Sequence, residues 1–198
     1  MRMKPEQKQA ARAAIVEAAG RRFRLEGRAG VGIDGLAAEA GQTSGAIYAH
    51  FGSKAEVFAA VVEAGLQRLN AGIARTRATG GAWVAAFAAG YLSRGHRRSV
   101  AEGCALPSLS ADVARAPAEV RQVYADGLDR AIRALSEGCA GATPEQRRAQ
   151  AIAVLALSAG GILLSRAVPD GPLAEEILAA CKAATSSLVE PMDRDASA

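Results

Sequence analysis

The sequence is poor in aromatic residues, histidine and cysteine, and these shortages argue against several classes of protein. Aromatic residues make up 4% of the 198 residues, and there are two histidines and three cysteines. Cys104, Cys139 and Cys181 are far apart and form no Cys-x-x-Cys motif, so we expect neither a zinc site nor a disulfide framework. An odd number of cysteines is typical of a reducing compartment. We expect no metal and no cofactor.

Strand patterns are also missing from the sequence. It has no alternating or continuous runs of β-branched and aromatic residues bounded by turn dipeptides, which argues against sandwiches, barrels and doubly wound sheets. Alanine, the strongest helix former, occurs 48 times. We therefore predict an all-α protein of about nine helices.

Positive charge is unevenly distributed along the chain. The net charge is +4, but residues 1–77 hold 12 basic and 7 acidic residues, whereas residues 78–198 hold 12 basic and 13 acidic residues. The whole excess therefore lies in the first two fifths of the chain. A local basic excess of this kind favours a negatively charged partner such as nucleic acid.

Nothing in the sequence requires a membrane. The start, Met1 to Lys8, lacks the apolar segment of a secretory signal. Seventeen uncharged residues separate Arg148 from Arg166, which is marginal for a membrane span and is better explained by a buried helix. We expect a cytoplasmic protein with no membrane partner.

Apolar spacing and capping motifs locate the main helices. Ile15, Ala19 and Phe23 recur every four residues and predict one amphipathic helix from Pro5 to about Gly27. Ser-x-x-Glu at residues 53–56 and Thr-Pro-Glu-Gln at residues 143–146 are capping boxes that each begin a long helix. The first of these helices extends to about Arg77 and keeps one apolar face, formed by Val57, Phe58, Val61, Val62, Leu66, Leu69 and Ile73.

Residues 33–50 have the layout of a helix-turn-helix, the arrangement that places a second helix in the DNA major groove. A short helix from Ile33 to Ala40 is closed by Gly41, and a second short helix follows from Thr43 to His50. The Arg21, Arg22, Arg24 and Arg28 cluster lies just before this segment. Two interpretations stay open for it: an ordinary solvated helix face, or a surface that faces phosphate.

The second short helix offers several groups to DNA. Thr43 and Ser44 place hydroxyl and backbone donors at the helix start, where the helix dipole also favours phosphate. Gly45 allows this end to approach the duplex closely. Tyr48 and Lys54 can donate hydrogen bonds to phosphate. The amide of Gln42 can pair with adenine.

Residues 41–58, Gly-Gln-Thr-Ser-Gly-Ala-Ile-Tyr-Ala-His-Phe-Gly-Ser-Lys-Ala-Glu-Val-Phe, resemble the signature of the tetracycline-repressor (TetR) family. The resemblance extends from about Ala11 to Val62. It implies a three-helix DNA-binding domain over residues 1–52, a connector helix over 53–77, and a ligand-binding and dimerisation domain over 78–198. The positions that the family usually turns toward DNA are Thr43, Ser44, Gly45, Tyr48, His50 and Lys54.

The sequence departs from the family pattern where relatives have larger side chains. Gly32, Ser44 and Ala49 stand where many relatives have hydroxyl, basic or bulky residues. The chain therefore offers fewer large base-reading side chains than many relatives, and its operator sequence cannot be derived.

The second half of the chain carries the predicted ligand pocket and dimer contact. We expect a pocket lined by some of Trp83, Phe87, Tyr91, Cys104, Leu106 and Tyr124, mainly because the family binds ligands in this domain. Residues 149–164 are apolar all round, so that helix must be buried on two sides. The predicted dimer contact comprises Leu157, Ser158, Gly161, Leu164, Ile177 and Cys181, with a wholly internal helix as the alternative.

These features predict a homodimeric regulator that binds double-stranded operator DNA of palindromic sequence. We expect a repressor, not an enzyme, that a small-molecule effector releases from DNA. Two alternatives stay open. One is a helical-bundle enzyme or carrier that uses Cys104 or His96, although we expect His96 to be solvent-exposed at a helix end. The other is an interaction module with a helix-turn-helix that does not bind DNA.

Overall fold

The computed structural model describes residues 5–189, and over this range the chain forms ten α-helices and no strand. The predicted all-α fold is confirmed, and the short sixth helix is the one that periodicity did not predict. We expect the N-terminal segment not to be a secretory signal, and its first four residues lie outside the described residues. The helices are α1 Pro5–Gly30, α2 Ile33–Glu39, α3 Ser44–Phe51, α4 Lys54–Arg77, α5 Trp83–Tyr91, α6 Arg94–Arg98, α7 Ala105–Ala114, α8 Ala118–Ser136, α9 Pro144–Arg166 and α10 Pro172–Val189.

By internal packing the described chain divides into two compact units. The first comprises residues 5–68 and 99–127, and the second comprises residues 69–98 and 128–189. Helices α4 and α8 therefore each contribute to both units. The predicted boundaries after residues 52 and 77 separate DNA binding, connection and ligand binding rather than packing units. They stay a prediction.

The core of the first unit follows the predicted apolar stripes. Ile15, Ala19 and Phe23 of α1 are fully buried, as are Val57 and Phe58 of α4. The rings of Phe23 and Phe58 meet edge to face with their centroids 5.3 Å apart, a favourable geometry for two aromatic quadrupoles. The spacing of apolar residues therefore predicted correctly which faces of α1 and α4 turn inward.

Helix α1 continues past the glycine at which we predicted its end, but it is broken there. Gly27 has a left-handed φ of 72°, which only glycine adopts at little cost. The break frees the N–H of Arg28, which donates to Asp112 Oδ2 of α7 at 2.9 Å. An acidic side chain of a distant helix thus satisfies the backbone group that the break exposes.

Small residues let helices approach closely in the first unit. A Cβ added to Gly65 of α4 would lie 2.6 Å from the Cβ of Ala105 in α7, and a Cβ added to Gly127 of α8 would lie 2.6 Å from Leu66 Cδ1. Both distances are well below van der Waals contact, so the glycines are required at these crossings. Small residues in the sequence therefore allow close helix packing at these two crossings.

In the second unit α9 packs against α10, α5 and α6. Its start confirms the predicted capping box: Gln146 N–H donates to Thr143 Oγ1 at 3.2 Å, and Thr143 N–H donates to Gln146 Oε1 at 3.3 Å. By length and composition alone α9 is apolar enough to cross a membrane. Its inner side, however, packs within the unit, through Ala151, Val154, Leu155, Ser158, Gly161, Ile162 and Ser165.

Two residues of the predicted dimer contact, Ser158 and Gly161, lie instead on the inner side of α9. Ser158 is fully buried within its own protomer, and a Cβ added to Gly161 would lie 2.7 Å from Leu92 Cδ2 and 3.0 Å from Cys181 Sγ. These two residues serve packing inside the chain because α10 and α5 cover that side. Farther along α9, large apolar side chains are instead exposed to solvent, with Leu163 and Leu164 54% and 58% exposed.

His96 is not at an exposed helix end as predicted. Its ring lies edge-on to Tyr91, with centroids 4.3 Å apart, and its Nδ1 donates to the Tyr91 carbonyl at 2.8 Å. Arg166 Nη2 donates to the His96 carbonyl at 2.8 Å, tying α6 to the end of α9. Burial lowers the pKa of His96, as does the charge of Arg166, against the opposing effect of the Tyr91 hydrogen bond. The neutral imidazole is therefore part of the packing.

Candidate nucleic-acid interface

The turn between α2 and α3 is closed by backbone hydrogen bonds. Gly41 has a left-handed φ of 62°, and its N–H donates to the carbonyl of Ala38 at 3.2 Å. The N–H of Gln42 reaches back to the carbonyl of Ala37 at 2.9 Å. These two bonds form a Schellman motif, which satisfies the last carbonyls of α2 and fixes the direction in which the chain leaves it. The glycine at the predicted turn is thus required by the backbone.

Helix α3 begins one residue later than predicted, because Thr43 is its N-cap. The Thr43 backbone is extended, and its Oγ1 accepts a hydrogen bond from the N–H of Ala46 at 3.1 Å. Capping by threonine satisfies one of the first free amides of the helix. The hydroxyl hydrogen of Thr43 is not used in this bond and stays free to donate. Gln42, Thr43 and Gly45 are all exposed to solvent.

Ser44 has a partner that the sequence analysis missed. Its Oγ donates to Asp34 Oδ1 of α2 at 2.5 Å. Because a carboxylate only accepts, the hydroxyl hydrogen of Ser44 is engaged within the protein and is not available to phosphate. This corrects the expectation that Ser44 supplies a hydroxyl donor to DNA. In the sequence, the only sign of this pairing is the acidic residue Asp34 in the first turn of α2.

The inner face of α3 holds the helix in place and leaves an aromatic side chain outside. Ile47 and Phe51 are buried, whereas Tyr48 is 53% exposed. The guanidinium of Arg12 lies over the Phe51 ring, 4.6 Å from its centroid, a cation–π contact that joins α1 to α3. With a fixed inner face, the outward position of Tyr48 is determined by the helix. An exposed tyrosine offers a hydroxyl donor on a rigid stem.

His50, near the end of α3, and Lys54, the first residue of α4, are both half-buried. The His50 Nδ1 is buried without a hydrogen-bond partner among the described residues. Partial burial lowers the pKa of Lys54, and the nearby Arg28 lowers it further, while Asp112 acts in the opposite direction. Lys54 therefore has both a positive and a negative side chain nearby.

The start of α4 forms only half of its predicted capping box. Glu56 N–H donates to Ser53 Oγ at 3.2 Å, as predicted. The Glu56 carboxylate, however, accepts from the Ser53 hydroxyl at 3.3 Å, whereas the Ser53 N–H donates to the Phe51 carbonyl at 2.7 Å. Gly52, between Phe51 and Ser53, has a φ of 67° in this turn. Lys54 is nevertheless fixed as the first residue of α4.

The arginine cluster of α1 is engaged within the protein. Arg21 forms ion pairs with Glu17 and Glu39, and Arg22 pairs with Glu26. Arg24, which is only 7% exposed, and Arg28 are turned inward. Arg24 Nη1 donates to the Ala101 carbonyl at 3.2 Å, and the Arg28 guanidinium lies 5.7 Å from the Phe58 centroid. Of the two interpretations of this cluster, neither describes all four residues: two are paired at the surface and two serve the core.

The predicted ligand-binding residues are divided between the two units. Trp83, Phe87 and Tyr91 are buried in the second unit, whereas Cys104, Leu106 and Tyr124 belong to the first. The Tyr124 hydroxyl is 2.7 Å from Ser110 Oγ, and burial raises its pKa. The ligand-binding set stays a prediction. Within residues 5–189 no group of three or more His, Cys, Asp and Glu side chains is placed to hold a metal ion.

Comparisons with known proteins agree with this geometry. Residues 15–61 match the family model described as bacterial regulatory proteins, tetR family. No curated protein matches the sequence. The reduced form of NemR from E. coli is 18% identical with a TM-score of 0.75, and the match covers 91% of this chain and 97% of that one.

Two further solved structures agree over nearly the full length. SCO4454, a TetR-family transcriptional regulator from Streptomyces coelicolor, is 24% identical with a TM-score of 0.70, over 92% of this chain and 97% of that one. AibR, solved in complex with isovaleryl coenzyme A and operator DNA, is 18% identical with a TM-score of 0.65, over 91% and 99%. The N-terminal segment thus carries the match to the tetR family, and the chain as a whole is similar in fold to solved TetR-family transcriptional regulators.

Proposed function

We propose that this protein is a homodimeric repressor that binds a palindromic operator and releases it when a small molecule binds. The observation that carries the proposal is the exposed face of α3, held by a capped start and a buried inner side. A short helix presented in this way fits the major groove, with the preceding helix crossing the backbone. The match of residues 15–61 to the tetR family supports the same role.

The DNA contacts that we propose follow from exposure and donor capacity. Thr43 keeps its hydroxyl hydrogen for a phosphate, and the exposed Gly45 lets the start of α3 approach the duplex. Tyr48 extends from the middle of the helix, and Lys54 supplies a charge at the start of α4. Gln42 is exposed beside them for a base contact. His50 completes the set at the end of α3.

The proposed dimer contact uses the apolar side of α9 that its own protomer leaves uncovered. Ile152, Leu163 and Leu164 are large, apolar and about half exposed, and Leu173 at the start of α10 is exposed in the same way. Large apolar side chains grouped on one surface are typical of a protein–protein contact. A two-fold dimer through α9 and α10 would use the same surface on both copies. Of the original set, Leu157, Leu164, Ile177 and Cys181 remain candidates.

A small-molecule effector completes the proposal. AibR, which shares the fold, was solved with isovaleryl coenzyme A and operator DNA. If the ligand changes the affinity of this chain for its operator, the operator must change the affinity for the ligand by the same factor. We propose that the ligand domain lies after residue 77 and that the connector α4 changes the spacing of the two α3 helices, which must lie about 34 Å apart on DNA.

The test is equilibrium binding to the DNA upstream of the protein's own gene at several salt concentrations. We expect specific binding that weakens steeply with salt, because phosphate contacts release counterions. Tyr48→Ala and Lys54→Ala should weaken binding, and Lys54→Ala should also lower the salt slope by about one. Arg21→Ala removes the same charge from a side chain already paired with Glu17 and Glu39, and it should leave the slope unchanged.

Two outcomes would contradict the proposal. If the wild type binds its upstream DNA and random DNA equally, and selection from genomic fragments enriches nothing, the chain is not a specific regulator. An interaction module with a helix-turn-helix that does not bind DNA would then be favoured. If Arg21→Ala lowers the salt slope as much as Lys54→Ala does, the proposed DNA-facing surface is wrong.

A further inference from the structure

The two adjacent hydroxyls at the start of α3 have opposite hydrogen-bonding roles. Thr43 Oγ1 accepts from the N–H of Ala46 and keeps its hydrogen. Ser44 Oγ gives its hydrogen to Asp34 Oδ1 and keeps its lone pairs. Both hydrogen bonds, Ser44 to Asp34 and Ala46 to Thr43, lie at the surface of the first unit. Thr43 can therefore donate to a DNA group, whereas Ser44 can only accept from one.

Asp34 places a further hydrogen-bond acceptor next to the Ser44 hydroxyl. One carboxylate oxygen is engaged by Ser44, and the residue itself is exposed on the first turn of α2, so its other oxygen remains an acceptor. A hydroxyl that donates to a charged oxygen is also polarised, which strengthens its own lone pairs as acceptors. The Ser44–Asp34 pair, defined by these two side chains, thus presents acceptors without a donor.

The edges of the bases in the major groove respond differently to such a pair. Cytosine offers its N4 amine and adenine its N6 amine as donors, whereas guanine presents two acceptors and thymine presents one acceptor and a methyl group. A phosphate also presents only acceptors, and it would be repelled by Asp34. A surface of acceptors therefore favours a base that carries an exocyclic amine and disfavours phosphate, guanine and thymine.

We infer that the Ser44–Asp34 pair is a specificity determinant that selects cytosine or adenine at one position of each operator half-site. The inference rests on the proposed function, since it requires that α3 enter the major groove. Asp34 acts in it both directly, through its free oxygen, and as a positioning residue, because it fixes the direction of the Ser44 hydroxyl. Sequence patterns for DNA reading emphasise large basic and amide side chains, and this pair contains neither.

The test compares four proteins: the wild type, Ser44→Ala, Asp34→Asn and Glu39→Gln. Glu39→Gln is the matched control, because it neutralises another carboxylate of α2 that pairs with Arg21 and does not contact Ser44. Each protein selects its preferred sequences from a random DNA library. Binding is then measured to the selected operator and to one in which the affected base pair is inverted.

We expect Ser44→Ala to change the base preference at one position per half-site, at which the wild type prefers cytosine or adenine about tenfold over the inverted pair. Asp34→Asn should lose most of that preference at the same position, since an amide can donate to guanine or thymine. Glu39→Gln should tighten binding to both operators alike and keep the preference.

The outcomes separate this inference from the proposed function. If Asp34→Asn selects the same bases as the wild type, or if the affected position prefers guanine or thymine, the inference is overturned while DNA binding stands. If the wild type selects no sequence at all, the proposed function itself fails. Thermal unfolding of each variant shows whether a lost preference reflects lost folding.

Discussion

Gly138 and Trp83 form a contact whose tightness gives a measurable prediction. A Cβ added to Gly138 would lie 2.4 Å from two ring carbons of Trp83 and 2.6 Å from its Nε1. Gly138 is not among the glycines with positive φ, so its backbone accepts an alanine without strain. The cost of Gly138→Ala is therefore steric. Ordinary contact begins near 3.4 Å, and the buried ring would have to move by about 1 Å.

Forced displacement of a buried ring of this size costs about 1–3 kcal/mol. For a chain of this length we expect the melting temperature of Gly138→Ala to fall by about 2–12 °C. Gly72→Ala is the matched control, because the added Cβ would meet only the end of the Arg75 side chain at 3.8 Å within the long helix α4. It should stabilise the protein by about 0.5–1 kcal/mol, since glycine loses more backbone freedom than alanine in a helix.

The assay is unfolding by heat and by urea, at one fixed protein concentration because a dimer melts at a temperature that depends on concentration. Trp83 is the only tryptophan in the chain, so its fluorescence reports on this contact while circular dichroism reports on all helices. We expect a changed emission in folded Gly138→Ala and an unchanged m value. Equal or higher stability of Gly138→Ala than of wild type would refute the packing of Trp83 on this glycine.

Three other predictions concern pH, association and capping. Because the pKa of His96 is lowered in the fold, the unfolded chain takes up this proton first as pH falls below about 6.5, and stability is lost by at most about 1.4 kcal/mol per pH unit. His96→Asn keeps a donor toward the Tyr91 carbonyl and should flatten the unfolding free energy between pH 7 and 5; a curve parallel to wild type would contradict this. Leu164→Glu should give monomers in analytical ultracentrifugation, whereas Leu25→Glu, at an equally exposed leucine of α1, should stay dimeric, and a dimer in both variants would remove α9 from the interface. Thr143→Ala should lower the urea unfolding free energy by about 0.5–2 kcal/mol, and an unchanged midpoint would mean that the cap of α9 contributes nothing measurable.

Local patterns predicted much of this fold correctly. The repeat of Ile15, Ala19 and Phe23 identified the buried face of α1, because a helix turns every 3.6 residues whatever it packs against. The capping box at Thr143 formed as predicted, because both of its bonds join groups three residues apart. Gly41 was placed correctly at the turn, because its closing bonds are local as well. Interactions within one helical turn are therefore readable from sequence.

Interactions between helices were harder to predict. Spacing predicted that α9 is apolar on two sides, but it did not reveal that Gly161 faces its own protomer, since that depends on where α10 lies. Its charged neighbours predict that His96 is exposed, whereas it contacts Tyr91 across the turn between α5 and α6. The Ser44–Asp34 pair joins residues of two helices whose crossing the pattern does not define. Periodicity gives the direction of a side chain within its helix and not the partner it meets.

The internal pairing of the α1 arginines has a consequence for how the protein searches a genome. Binding to random DNA arises almost entirely from cations that neutralise phosphates. Arg21 and Arg22 are matched by glutamates, and Arg24 is turned into the core, so these three cations contribute little to binding of random DNA. Each encounter with a wrong sequence should therefore be brief. Few copies would be held on non-target DNA, and a small cellular pool could keep one operator occupied.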